Sequence, residues 1–179
     1  MEFLEMLKNR RSVRKYSGQK IEDEKVEKVL AAGMLYATGK DAYPLEWIVV
    51  RDKDTLDKLS RAKSAGSSLL AGADAAIVVL GNKELSDTIV EDASISMDNM
   101  MIEASEQGLG SCWVQCRLRS TVKEGTDETV GSSDYVRELL NIPENHDVEA
   151  MVALGYPESK VEPHKDPDTK SAKVHRESF

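Results

Sequence analysis

The 179-residue chain contains no apolar run of the roughly 18 or more residues that a membrane-spanning helix needs, which excludes a helical membrane protein. It has no surplus of basic charge. Its 24 Lys and Arg stand against 32 Asp and Glu, a net charge of -8, and this argues against nucleic-acid binding, which needs basic surface to neutralise phosphates. A small basic pocket is still allowed, because the field inside a pocket is local. Cysteine is scarce. Cys112 and Cys116 stand i,i+4, neither a redox C-x-x-C pair nor enough ligands for a closed zinc site, so both are read as buried thiols in a reducing compartment. Aromatic residues make up 5% of the chain against seven Met, which predicts a soft core of Leu, Val, Ala and Met.

The usual catalytic groups are also missing. No serine sits in a G-x-S-x-G elbow, and the adjacent Glu91 and Asp92 diverge on a helix. His146, His164 and His175 fall far apart in polar or tail segments and are read as surface residues, so no metal site emerges. Chemistry without protein acids, bases or metals points to a cofactor that carries the reaction. Glu2 and Glu5 precede the first basic run and no long apolar segment follows it, a pattern unlike a secretory leader; a soluble, cytoplasmic protein is expected.

Helical spacing of apolar residues predicts helices over Glu2 to Lys8, Ile21 to Leu35, Lys53 to Lys63 and Ser86 to Gln107, with a short turn over Gly66 to Leu70. In the longest, Ala93, Met97, Met100, Met101 and Ala104 form one face with small members that lets another helix approach closely. Gly108 is placed to end it. Ser133 is placed to cap a helix over Asp134 to Leu140. Glu46 to Arg51, Ala75 to Leu80, Ser111 to Gln115 and Val148 to Leu154 read as strands, whereas Arg117 to Gly131 is polar and shows no period. Four strands among helices, with no internal repeat, indicate a two-layer or three-layer α+β domain over residues 1–157. Residues 158–179 form a charged, proline-containing tail with too few apolar residues to pack on its own length. Such a tail is either disordered or laid over something else, and the favoured expectation is that it crosses to a partner subunit.

Three segments have the makings of a ligand site. In Arg10-Arg11-Ser12-Val13-Arg14, guanidinium forks and a compact hydroxyl suit phosphate oxygens, and two-residue spacing puts Arg10, Ser12 and Arg14 on one face with Arg11 turned away. A solvated charge run is the plainer reading. In Tyr36 to Leu45, Thr38, Gly39 and Asp41 are placed to bond a planar heterocycle, Asp41 as an acceptor only, or else to cap a loop. Gly108-Leu109-Gly110 follows a helix and enters a strand. That order is the reverse of a dinucleotide fingerprint, so these glycines allow close backbone approach to a surface or a ring.

Arg10-Arg11-Ser12-Val13-Arg14-Lys15-Tyr16 resembles the R-R-S-x-R-x-Y/F signature of the FMN-dependent nitroreductase family, particularly its short members. The resemblance continues through Pro44, Glu91 to Met100, Gly108 to Trp113, Tyr135 to Glu144, Leu154-Gly155-Tyr156-Pro157 and Lys173-Val174-His175, essentially the whole chain. It implies a mixed, mainly antiparallel sheet flanked by helices, and an intertwined homodimer with FMN at the subunit interface. It also implies ping-pong transfer of reducing equivalents from NADH or NADPH to a small acceptor such as a nitroaromatic or quinone. By position it assigns Arg10, Ser12 and Arg14 to the FMN phosphate and ribityl chain, with Arg11 at a more variable place. Gly110 lies beside the ring, and Lys170 or Lys173 reaches the phosphate. The Ala and Met face of the long helix is expected against its two-fold mate. Arg117 and Arg119 either receive an acidic substrate or nicotinamide phosphate, or are solvated surface.

The middle loop departs from the family pattern P-S-x-x-N-x-Q-P-W. Thr38 keeps a hydroxyl, but Asp41 stands where the pattern has Asn, and Tyr43 where it has Gln. A carboxylate only accepts hydrogen bonds and adds negative charge, while Tyr43 is placed to stack on the ring or narrow the cleft. A flavin-binding protein with little turnover is therefore the alternative reading.

Overall fold

Two strands of near-continuous apolar sequence need cover on both faces, and the sheet is built around them. The computed structural model describes residues 2–167 and 171–179. Strands β1 (Leu45–Val50), β2 (Ala75–Asn82), β3 (Gly110–Gln115) and β6 (His146–Gly155) form an antiparallel sheet in the order β1-β2-β6-β3. One parallel bridge, Ser12 to Ser111, joins the N-terminal segment to its β3 edge.

The central strands divide their side chains between two cores. Ile77, Val79, Val152 and Leu154 face α2 (Asp23–Met34) and α4 (Ile89–Glu106). Val78, Leu80, Met151 and Ala153 face α3 (Lys53–Leu59), a helical turn over Ser68–Gly72, and α5 (Ser132–Leu140). The domain is thus the three-layer form of the α+β expectation. Register changes between Val79, opposite Ala150, and Leu80, opposite Val148. Glu149 is the extra residue of that bulge, and this lets both Val148 and Met151 enter the same core.

α4 is central, but its Ala and Met face does not await a partner. Ala93, Met97, Met100 and Ala104 are fully buried within the chain's own core. The helix that approaches closely is α2. A Cβ on Gly33 would lie 2.6 Å from Met100 Cγ, and Ser96 Oγ donates to Gly33 O at 2.8 Å. Gly108, at φ +74°, ends α4 in a Schellman arrangement, with its own N–H on Ser105 O and the Leu109 N–H on Ala104 O.

Further expectations are corrected. α5 starts at Ser132, and Ser133 does not cap it; the Ser133 hydroxyl accepts from the Val148 N–H at 3.1 Å. The polar 117–131 stretch contains a hairpin of β4 (Ser120–Val122) and β5 (Thr129–Gly131), too short to show a period. His146 is buried at the start of β6, between Asn145 Oδ1 and Glu46 Oε1. Among the described residues no helix is long and apolar enough to cross a membrane, and no group of three or more His, Cys, Asp or Glu side chains is placed to hold a metal.

Candidate functional site

After α1 (Phe3–Asn9) the chain runs extended along the β3 edge. The Val13 N–H donates to Ser111 O, Tyr16 bridges to Pro157, and the Ser17 N–H donates to Tyr156 O. Two glycines paired across the ladder, Gly110 and Gly155, make room for this strap. A Cβ on Gly110 would meet Val13 side-chain carbons at 2.7 Å, and one on Gly155 would meet the Tyr16 ring at 2.5 Å. Tyr16 locks the strap by donating to Val13 O at 2.9 Å. The open side of Gly110 is therefore filled by Val13.

Side chains of the strap alternate as the extended spacing predicts. Arg11 turns to one side, where its guanidinium donates to the Glu162 carbonyl and borders a cavity of about 460 Å³ with Gly108 and Lys160. Arg10 and Arg14 act on the other side. Burial pushes the Cys112 thiol up, and Arg14, Lys63 and Arg10 pull it partly back, so the positive charge of all three reaches this strand. Cys116, just past the end of the same strand, is pushed up to about 12 by burial, and both cysteines are buried free thiols as expected. Arg10, Arg14 and Lys63 hold no carboxylate partner among the described residues. Arg14 borders a cavity of about 410 Å³ and Lys63 one of about 750 Å³, and Ser68 lines both. Lys63 escaped the reading of the sequence because it lies far from the Arg10 cluster in the chain; its one local signal is the glycine and serine stretch that follows.

The middle loop lies elsewhere. The Thr38 hydroxyl donates to Asp92 Oδ2 at 2.7 Å, and Gly39 sits against Thr88 at the start of α4. Lys40, Asp41 and Tyr43 all hold positive φ, at 57°, 57° and 44°, a concentration of backbone strain typical of functional loops. Asp41 is exposed. The Tyr43 ring rests edge-on against Tyr36, 5.9 Å between centroids. This loop meets the first turn of α4, whereas Gly110 and Val13 lie just past its last, and 18 residues of helix span about 27 Å. One chain does not bring Thr38 and Asp41 to Arg10, Ser12 and Arg14.

The tail begins on its own chain. The Glu158 N–H donates to Lys15 O, the His164 N–H donates to Lys8 O, and Lys8 pairs with Asp166 at 2.9 Å. Lys173 is exposed in the last segment, and Lys170 lies outside the described residues. Arg117 leans on buried Glu149, Nε to Oε2 3.8 Å, and Arg119 donates to the Leu118 carbonyl.

The model of the nitroreductase family matches residues 7–68 and 61–156, so it takes in the strap, the loop and the sheet together. The chain belongs to the nitroreductase family. An FMN-dependent nitroreductase from Clostridium difficile R20291 is 37% identical and superimposes with a TM-score of 0.89, covering 99% of this chain and 100% of that one. A Bacteroides thetaiotaomicron structure, provisionally named an NADH dehydrogenase/NAD(P)H nitroreductase, is 31% identical with a TM-score of 0.85, over 98% and 97% of the two chains. A protein of Archaeoglobus fulgidus with the same provisional name is 37% identical over 99% of both chains. In this nitroreductase-family chain the strap and loop are the segments singled out in the sequence, and the fold places them at opposite ends of α4.

Proposed function

We propose that this protein is an FMN-dependent oxidoreductase that, as a cytoplasmic homodimer, transfers reducing equivalents from NADH or NADPH to a small acceptor such as a nitroaromatic or quinone. The carrying observation is that the charges of Arg10, Arg14 and Lys63 all reach Cys112, next to the Ser12–Ser111 bridge, while none of the three has a carboxylate partner among the described residues, in a chain of net charge -8. That donor set fits a phosphorylated ligand: two guanidinium forks and an ammonium for the anion, and a hydroxyl for the chain that carries it. FMN, when bound there, supplies the hydride and electron chemistry that no side chain of the site supplies.

The protein's own residues bind and orient. Gly110 and Gly155 keep the strap flat against β3, so Arg10, Ser12 and Arg14 are held in register before any ligand arrives, and pre-organisation of this kind lowers the cost of binding. Arg11 and the exposed Lys173 are secondary candidates for the phosphate, with Lys170. The loop contributes Thr38 and Asp41, and the length of α4 requires that they come from a second copy if they and the strap are to grip one mononucleotide.

Support for that second copy comes from an apolar patch at one end of the domain. Phe3, Met34, Leu35 and Ile95 are exposed there, and Phe3, Leu35 and Ile102 line a shallow cavity. Such a patch marks an interface, and a two-fold arrangement uses it on both copies.

Anaerobic mixing of FMN-loaded protein with NADH or NADPH tests the reading. Bleaching of the flavin absorbance, followed by its return when a quinone or nitroaromatic is added, is the expected result. Asp41 and Tyr43 favour the second reading, a flavin binder with little turnover, and a flavin that stays yellow under both donors would establish it. Asp41→Asn removes an exposed carboxylate from the loop. A less negative flavin midpoint potential is expected, because negative charge beside the ring opposes the electron density that reduction adds. An unchanged potential would place Asp41 away from the ring.

A further inference from the structure

We propose that buried Asp92 is a positioning residue that sets the hydrogen-bonding polarity of Thr38, making its hydroxyl oxygen an acceptor only toward the ring of the bound flavin. The inference rests on the flavin reading above and adds a residue that touches neither the strap nor the ring.

Asp92 is only 2% exposed, an unusual place for a carboxyl group with no ion pair among the described residues. Its position suits an acidic side chain, since it lies in the first turn of an 18-residue helix, where unpaired N–H groups favour an acceptor. Its Oδ2 accepts the Thr38 hydroxyl at 2.7 Å. A threonine hydroxyl has one proton, and here Asp92 takes it, so Thr38 Oγ1 retains only lone pairs for any other partner.

The loop is not free to escape this arrangement. Gly39 packs on Thr88 so closely that a Cβ there would sit 3.1 Å from Thr88 Oγ1. On the far side of the loop, Trp47 Nε1 donates to Ser96 Oγ, which itself donates to Gly33 O. Thr88, Asp92 and Ser96 recur every four residues from the start of α4, so one face of one helix holds Gly39 and Thr38 and, one turn on, Gly33 and Trp47. Asp41 is likewise an acceptor when ionised, and neighbouring Lys40 is directed to Asp87, 3.7 Å away. The Thr38 and Asp41 side chains accept from a ring N–H or a hydroxyl, and they give no donor to a ring carbonyl. With no proton to offer the electron density that reduction adds, they favour the oxidised ring over the more electron-rich reduced one.

The test uses the full-length protein with FMN. Asp92→Asn keeps the side-chain shape but supplies an amide N–H to Thr38 Oγ1, which frees the hydroxyl proton to point at the ring. The ratio of affinities for reduced and oxidised FMN is expected to rise about tenfold, read as a midpoint potential ~30 mV less negative for a two-electron couple. Thr38→Ser keeps the hydroxyl and is expected to retain the wild-type potential, whereas Thr38→Val alters it. In a Thr38→Val background, Asp92→Asn is expected to have no further effect. An unchanged potential in FMN-bound Asp92→Asn protein, or an equal shift with and without the Thr38 hydroxyl, overturns the inference. Should Asp92→Asn fail to fold, as judged by thermal unfolding of the apoprotein, Thr38→Ser and Thr38→Val still decide: equal potentials for the two overturn it. Failure of the wild-type protein to bind FMN at all would instead remove the flavin reading, and that is seen in the first titration.

Discussion

Replacing both Arg10 and Arg14 by alanine is expected to weaken FMN binding at least ~100-fold, since each charge-assisted contact to a phosphate contributes about 1.5–3 kcal/mol. Neither side chain supports the fold. Arg14 is exposed, its one hydrogen bond a long 3.4 Å contact to Ser12 O, and Arg10 makes no ion pair among the described residues. The apoprotein should therefore melt as the wild type does, which separates lost binding from lost structure. Lys20→Ala, an exposed cation outside the strap, is the matched control and should bind normally. Fluorescence quenching of FMN on titration with protein reads the affinities directly. If the double variant binds like wild type, the phosphate is held elsewhere and the strap is a solvated charge run after all. Lys63→Ala should fall between the two, because its charge reaches the same strand as those of Arg10 and Arg14.

The second large effect concerns a residue that touches no ligand. Gly155→Ala would place a methyl group 2.5 Å from Tyr16 Cδ1, 2.6 Å from Cγ and 2.9 Å from Cβ. The ring has nowhere to retreat, because its hydroxyl is committed to Val13 O and its backbone is bridged to Pro157. Overpacking of this kind costs about 1–3 kcal/mol, a drop in Tm on the order of 5 °C for a domain of this size. Displacing Tyr16 also moves the strap that carries Arg10, Ser12 and Arg14, so FMN affinity should fall with stability. Gly72→Ala, where an added Cβ meets nothing within 4 Å, should change neither. Scanning calorimetry and FMN titration of the two variants check this. In a Tyr16→Ala background the penalty at Gly155 should largely vanish, the non-additivity expected of residues in contact. An unchanged penalty there would mean that the glycine is needed for some other reason.

Much of the architecture was legible from local pattern. Long helices and buried strands announce themselves through period and apolar runs, so α2, α4, β1, β2 and β3 lie close to where the residues place them. Gly108 ends α4 by positive φ, a local requirement that glycine signals wherever it occurs. The β4–β5 hairpin was illegible because strands of three residues carry too little pattern to stand out. Ser133 illustrates a different failure: the residue suits a helix cap, but a strand distant in sequence, through the Val148 N–H, takes its oxygen. His146 was misread for the same reason, since only the placement of β6 and β1 on either side of β2 brings it to Glu46.

By itself, the sequence determined the class of fold, the alternation that sets Arg10, Ser12 and Arg14 apart from Arg11, and the unusual carboxylate at Asp41. These follow from backbone period and side-chain chemistry, which act over a few residues. Tertiary structure decided what those residues work with. It brought the charge of Lys63 to bear on β3, turned the Ala and Met face of α4 inward onto α2, and joined Thr38 to Asp92 across 54 positions of sequence. It also separated the strap from the loop by the length of one helix. Contacts of that range depend on how elements pack, and no local pattern of residues encodes them.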